Sequence, residues 1–326
     1  MDLLIGNQGY GSVATRLLNN DMKTNALRTN ATLRVREWVQ MDEVLVKEAI
    51  PPMKAVNYLR SKGLTYNVGN SLGKTVLEYE TVSEMGDAAV SMDVEDTGGN
   101  DGTKFNPTQI PLPIIHKSWF LNARQLAASR DKGESLDTIQ VTMTGRKIGE
   151  MLEHLTLFGH PSFSFGTTKI YGMLTAPNRI KQTATKKWNA ADTTAQDIKD
   201  DILKAIQALQ DNNFYGPYGV FVSSNCSTKF SDDYEQYYAK TLAARVREIE
   251  GIDDVLFVPF MNPKAGFNAV VFQLAPDVVR IVEGLPLQNV QWEEQGNMRF
   301  HFKGMMIATP DIRSTYSGKC GIVHIS

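Results

Sequence analysis

Residues 135–159 read SLDTIQVTMTGRKIGEMLEHLTLFG, and this stretch decides the fold. Ser135 is a good N-cap, and Asp137 puts a negative charge in the first turn, where it complements the helix dipole. Leu136, Ile139, Met143, Ile148, Met151, Leu152, Leu155 and Phe158 make an apolar stripe, and Gly159 closes the helix. At 1.5 Å per residue, ~23 residues run ~35 Å, a long single rod for a chain of this size.

Just upstream, Ile110, Leu112 and Ile114 give a strand whose other face is Pro111 and Pro113. Proline cannot donate to a ladder, so this strand is an edge or a bend. From Gly63 to Pro113 the pattern has period two. Leu77, Tyr79 and Thr81 alternate with Glu78, Glu80 and Val82, and Ala88, Val90, Met92 and Val94 alternate with Ala89, Ser91, Asp93 and Glu95. Met85-Gly86-Asp87 between the two runs predicts a β-hairpin, with Asp96-Thr97-Gly98-Gly99-Asn100-Asp101-Gly102 as a polar tip or return. A lone two-stranded ribbon is marginal in water, so it has to lean on another surface, in this chain or in a neighbouring copy.

Further toward the N-terminus, Leu33, Trp38, Met41, Val44, Leu45 and Ala49 recur at helical spacing, with Asn30 as N-cap and Pro51-Pro52 as the stop. Residues 1–31, with Gly6, Gly9, Gly11 and many Asn and Thr, read as an arm with little core of its own. Downstream, a loop from His160 to Gly172 leads into an α/β lobe. Thr194 and Asp197 form a capping box for a helix with Ile198, Ile202, Ala205, Ile206 and Leu209 inside, ended by Asn212-Asn213. Strands are expected at 219–222, 255–259, 269–274 and 278–283, a helix at about 231–250, and more strand in the tail around Val290, Trp292 and 298–308.

Composition narrows the function. With 42% hydrophobic and 21% charged residues the chain is built like a folded protein, and 34 basic against 36 acidic residues leave a net charge of −2. It therefore lacks the basic excess of a protein that grips phosphate backbones. Cys226 and Cys320 read as two reduced, buried thiols rather than a disulfide framework. The start, Met1-Asp2-Leu3-Leu4-Ile5-Gly6, carries an acid where a signal peptide wants a base, so the cytoplasm is the expected compartment.

A search for chemistry returns little. There is no Gly-x-Ser-x-Gly elbow and no GxxxxGK[ST] phosphate loop, and Gly9-Tyr10-Gly11 lacks the third glycine and the strand–helix setting of a dinucleotide fingerprint. His154 and His160 are six apart, off the i, i+4 face of a helical zinc site. Cys226, in Ser223-Ser224-Asn225-Cys226-Ser227, has no histidine partner in view and reads as a turn residue. Glu293-Glu294 and Asp253-Asp254 read as solvated acids, and Lys186-Lys187-Trp188 is too short for a nucleic-acid patch. The residues thus describe a non-enzymatic α+β chain with no cofactor or metal, whose unsatisfied surface points to assembly.

The order of elements resembles the Hong Kong 97 fold of tailed-phage major capsid proteins and encapsulin shells. The resemblance runs from about Thr32 to the end. It is carried by residues 110–117, then Phe120, Asn122-Ala123-Arg124-Gln125-Leu126, Ser129-Arg130, Gly133, Leu136-Asp137-Thr138, the long helix, Leu157-Phe158-Gly159 and Ile170-Tyr171-Gly172-Met173-Leu174. The tail Gln288-Asn289-Val290-Gln291-Trp292, Met298-Arg299-Phe300-His301-Phe302 and Pro310-Asp311-Ile312 is similar in character. It implies an N-arm (1–31), a peripheral domain (32–62 and 114–174) with spine helix 135–158, and an extended loop (63–113) lying across an adjacent subunit. It also implies an axial domain (mainly 175–285) and a C-terminal β segment (286–326) returning to the peripheral domain.

The resemblance further implies a homo-oligomeric shell of pentamers and hexamers in a virion, assembled in a bacterial cytoplasm around weakly contacted double-stranded DNA. A separate scaffolding protein, a portal and a decoration protein are the partners it brings. The Gly/Asn-rich arm and long loop set the chain nearer the phage heads than the encapsulins, which begin with a cargo-docking helix and enclose an enzyme. Expected inter-subunit contacts are Tyr79, Val90, Met92, Lys104, Phe105, Arg124 and Arg130. A further reading is autocatalytic crosslinking, as in some members of this fold, of Lys74 or Lys104 to Asn297 under Glu293 or Glu294.

Overall fold

The computed structural model describes residues 35–69, 71–85, 92, 102–122, 124, 139–166, 168–235, 238–262, 266–293 and 299–326. The expected arm, the hairpin turn at 85–87 beyond Met85, the strand at 88–94 apart from Met92, and the N-cap at Ser135 lie outside them.

Three helices, α1 (Val35–Ala49), α2 (Lys54–Ser61) and α3 (Ile139–Phe158), form the helical layer. The spine is α3, whose 20 residues span about 30 Å at the helical rise. Gly159, at φ +67°, ends it, as the sequence predicts. The buried face differs from the predicted stripe. Ile148, Leu152 and Leu155 are buried, but Ile139, Met143 and Met151 are exposed. The packed face instead carries Val141, Thr144, Gly145 and Gly149. The reason is close approach of backbones. A Cβ on Gly145 would overlap the carbonyl oxygen of Leu45, and one on Gly149 would overlap that of Ala49 and press on the Pro52 ring at 3.0 Å. Here small residues, not large ones, mark the contact, and α1 lies directly on α3.

The second helix, α2, was not foreseen after Pro51-Pro52. Its N-cap position, Met53, offers no side-chain acceptor. Glu153 of α3, fully buried, supplies the cap from 98 residues away, accepting from the Ala55 N–H at 2.7 Å and the Val56 N–H at 3.1 Å.

Strands β1 (Thr65–Asn67), β4 (Ile114–Asn122), β13 (Val279–Glu293) and β14 (Arg299–Ile312) make a four-stranded sheet in the order β1-β13-β14-β4. α1 and α3 cover one face, where Met41, Leu45 and Val141 meet Trp119 and Phe302, whose rings stack at 5.6 Å. The predicted edge strand through Pro111 and Pro113 is a bend, because the chain breaks at Leu112-Pro113 between β3 (Phe105–Pro111) and β4. Leu77–Val82 was expected to pair with 88–94. The structure pairs β2 (Val76–Val82) with β3, in seven-residue antiparallel register from Val76↔Pro111 to Val82↔Phe105, and the expected partner 88–94 lies outside the described residues apart from Met92.

The loop expected at 160–172 is a hairpin, β5 (Gly159–Phe165) with β6 (Thr168–Tyr171). The lobe that follows is a five-stranded sheet of β7 (Ile180–Gln182), β8 (Tyr218–Ser223), β11 (Ile252–Val258), β12 (Ala269–Gln273) and β15 (Ile322–Ile325), ordered β11-β8-β12-β15-β7. Its helix, α4 (Ala195–Gln210), has the predicted Thr194/Asp197 capping box and buries all five predicted residues. Asp201 on α4 anchors the preceding loop, accepting from Trp188 Nε1 at 3.0 Å and the Thr185 hydroxyl at 2.7 Å. Trp188 is core, stacked on Phe267 at 4.8 Å.

Two expectations fail in this half. The helix at 231–250 resolves into α5 (Ser227–Ser231), a ribbon of β9 (Asp233–Glu235) and β10 (Tyr238–Thr241), and α6 (Leu242–Arg247). The aromatic run around Tyr234 and Tyr238 favours strand, and apolar spacing over so short a stretch cannot tell the two apart. The tail also divides, since its last strand, β15, pairs with β12 and β7 rather than with β13 and β14.

Candidate assembly interface

The β2/β3 ribbon has little core of its own, Pro111 being the one buried residue of its two strands. Its root is attached: Leu77 packs beside the cluster of Val68, Leu112, Val282, Leu285, Met305 and Ile307, and the Leu112 N–H donates to the Thr75 carbonyl at 2.9 Å. Beyond the Tyr79↔Thr108 pair, Glu80, Val82, Phe105, Asn106 and Pro107 are exposed. At the outer end Val82 and Phe105 face each other across the strands, 47% and 58% exposed, and Met85 beyond them is 67% exposed. These apolar side chains therefore lie together at the surface of the subunit.

A second apolar surface lies on the spine. Ile139 and Met143, one turn apart, are both 64% exposed, with Met151 two turns further. At its C-terminal end a cleft of about 200 Å³ opens between Ile114, His116, Met151, His160 and Phe163. The charged residues interleaved on this face are paired with each other, Arg146 and Lys147 both reaching Glu150 at 2.9 and 2.6 Å. Their hydrogen bonds, Lys147's first, hold the Glu150 carboxyl below the usual range.

Tyr58 and Lys62 join the helical layer to the α/β lobe. Tyr58 of α2 donates to Asp253 at 2.8 Å and packs edge-on against Phe221 at 5.5 Å, and Lys62 donates to the same carboxylate at 2.7 Å. The Lys62 hydrogen bond lowers the pKa of Asp253, while burial and Asp253 push the Tyr58 hydroxyl upward.

The predicted contact residues fall into three groups. Met92 (98% exposed), Lys104, Phe105 and Arg124 are exposed, and the Lys104 backbone extends the ribbon by bonding with Ser83 at 2.9 Å. Tyr79 is engaged inside its own chain, under the Arg313 guanidinium at 4.0 Å. Val90 and Arg130 lie outside the described residues. So do Glu294 and Asn297, two of the five residues of the predicted crosslinking set; Lys74 and Lys104 are exposed.

Sequence reasoning passed over the group at the ribbon's root. Asp311, fully buried, pairs with Arg280 at 2.7 Å and faces Arg313 at 3.8 Å, while Arg280 lies over the Tyr66 ring at 4.4 Å. Burial raises the pKa of both Asp311 and Tyr79. The available signal was two charges, Asp311 and Arg313, a few residues past the apolar run Met305-Met306-Ile307-Ala308. Cys226 and Cys320 are both buried and free, as expected. Among the described residues no helix is long and apolar enough to cross a membrane.

The model of a family of unknown function (DUF6260) matches residues 25–325. No curated protein matches the chain in sequence. Solved structures do match it. The virus-like particle from Pyrococcus furiosus aligns over 89% of this chain and 99% of its own, at 15% identity and a TM-score of 0.58. The capsid of Myoviridae phage XM1 aligns over 83% and 91%, at 12% identity and a TM-score of 0.62. The capsid of a native GTA particle aligns over 82% and 88%, at 15% identity and a TM-score of 0.58.

Proposed function

The chain belongs to the family of unknown function DUF6260 and has the Hong Kong 97-type capsid fold, and from that premise we propose that it is the structural subunit of a closed protein shell, a phage major capsid protein. The observation that carries the reading is the ribbon. Its outer half exposes Val82, Phe105 and Met85, and a neighbouring copy of the chain is the surface that covers them. The exposed apolar side of the spine, Ile139 and Met143, serves a contact of the same kind.

The shell is built of pentamers and hexamers and stands in the virion around double-stranded DNA, with a separate scaffolding protein, a portal and a decoration protein as partners. A net charge of −2 suits a wall that tolerates packaged DNA rather than binding it tightly. Assembly takes place in the bacterial cytoplasm. The role is structural, with no reaction catalysed. The similarity to the Pyrococcus particle over nearly all of that chain supports a second reading, a nanocompartment around a cargo enzyme. Genes for a portal and terminase beside this one support the phage reading, and a cargo enzyme supports the other.

Light scattering on the purified full-length chain tests the proposal. The expected mass is many multiples of 36.3 kDa, as capsomers or larger. A monomer or dimer at every concentration contradicts it.

A further inference from the structure

We infer that the Tyr79–Arg313 stack is the latch that fixes the direction in which the ribbon leaves the subunit, making both of them positioning residues for assembly. This rests on the shell reading and adds to it an internal determinant of how the ribbon is aimed. Tyr79 lies midway along β2, half-buried with its partner Thr108, and outward from that pair Glu80, Val82, Phe105, Asn106 and Pro107 are exposed. Its ring sits 4.0 Å under the Arg313 guanidinium, a contact between the ribbon and the body of the protein.

The body side of this contact is well held. The Arg313 N–H donates to the Val278 carbonyl at 3.0 Å, tying it to the start of β13. Its guanidinium also faces two carboxylates, Asp311 at 3.8 Å and Asp277 at 3.4 Å. Asp311 is buried and already neutralised by Arg280 at 2.7 Å. Arg280 is the nearer partner of Asp311, and Arg313 sets its guanidinium over the Tyr79 ring. A two-stranded ribbon twists and swings easily when held only at its base. A flat cation on an aromatic face, set midway along the ribbon, restrains that swing beyond the base.

The test compares full-length Arg313→Gln, Tyr79→Leu and Tyr79→Phe with the parent chain by amide hydrogen exchange under non-assembling conditions and by shell yield. Arg313→Gln and Tyr79→Leu are expected to speed exchange at 76–82 and 105–111 by about tenfold, a factor within the strength of a cation–π contact, with β13 and β14 unchanged. Shell yield falls with them, and Tyr79→Phe, which keeps the aromatic face, restores both. Unchanged ribbon exchange, equal acceleration throughout the four-stranded sheet, or failure of Tyr79→Phe to rescue overturns the inference. Should Arg313→Gln not fold, Arg313→Lys, which keeps the charge but not the flat face, gives the same readout. If the parent chain forms no shells the shell reading fails, while the exchange data still decide the latch.

Discussion

Replacing Gly149 by alanine should destabilise the protein by about 2–3 kcal/mol, the range of an overpacked core, even though alanine is the better helix former by about 1 kcal/mol. The two effects have opposite signs, and geometry decides between them. The new methyl would overlap the Ala49 carbonyl oxygen and crowd the Pro52 ring at 3.0 Å. A flexible side chain could swing aside, but a helix backbone cannot, so α1 and α3 must separate along their length. Separation loosens Met41 and Leu45 from Trp119 and Phe302 as well. Gly145, against the Leu45 carbonyl, should behave in the same way. Urea unfolding of the two alanine variants checks this. A gain in stability would mean that the helices are not in backbone contact.

The second large effect belongs to Glu153. Glu153→Ala should cost about 2–4 kcal/mol, because it removes a helix cap and leaves the Ala55 and Val56 N–H groups buried without an acceptor. The charge of this group also makes stability depend on pH. Burial raises its pKa to about 7, with the N–H bonds of α2 restraining the shift. Because the folded pKa lies above the ordinary 4.5, the fold prefers the protonated acid. Its contribution is therefore complete below about pH 4.5 and is lost as the pH rises toward 7. Glu153→Gln, neutral at every pH, should flatten that part of the stability curve while keeping one acceptor for α2. Thermal unfolding from pH 4 to pH 8 reads the difference. A Gln variant with the parent's pH dependence would show that another group is responsible.

Local features were legible in the sequence, while contacts made across the fold were not. The capping box at Thr194 and Asp197, the helix stop at Gly159 and the inner face of α4 depend on residues within a few positions of one another, and each is where the sequence puts it. The spine's packing was misread because periodicity counts large apolar residues, whereas Gly145 and Gly149 pack by having no side chain at all. Helix α2 was invisible because its cap comes from Glu153, far along the chain. The pairing of β2 with 105–111 was invisible for a related reason: that stretch shows no apolar alternation, and alternation in any case gives a strand but not its partner.

Among the contact residues named with the family resemblance, Met92, Lys104, Phe105 and Arg124 are exposed. The Arg280, Asp311 and Arg313 group that meets Tyr79 was not legible, since it joins strands more than 200 residues apart and carries no local motif.

Electron microscopy of the purified full-length chain tests the central claim most directly. Closed shells, or the rings and tubes that subunits of such a wall form when closure fails, are the predicted result. Uniform compact particles of a single chain, with the ribbon folded back on its own body, would contradict it.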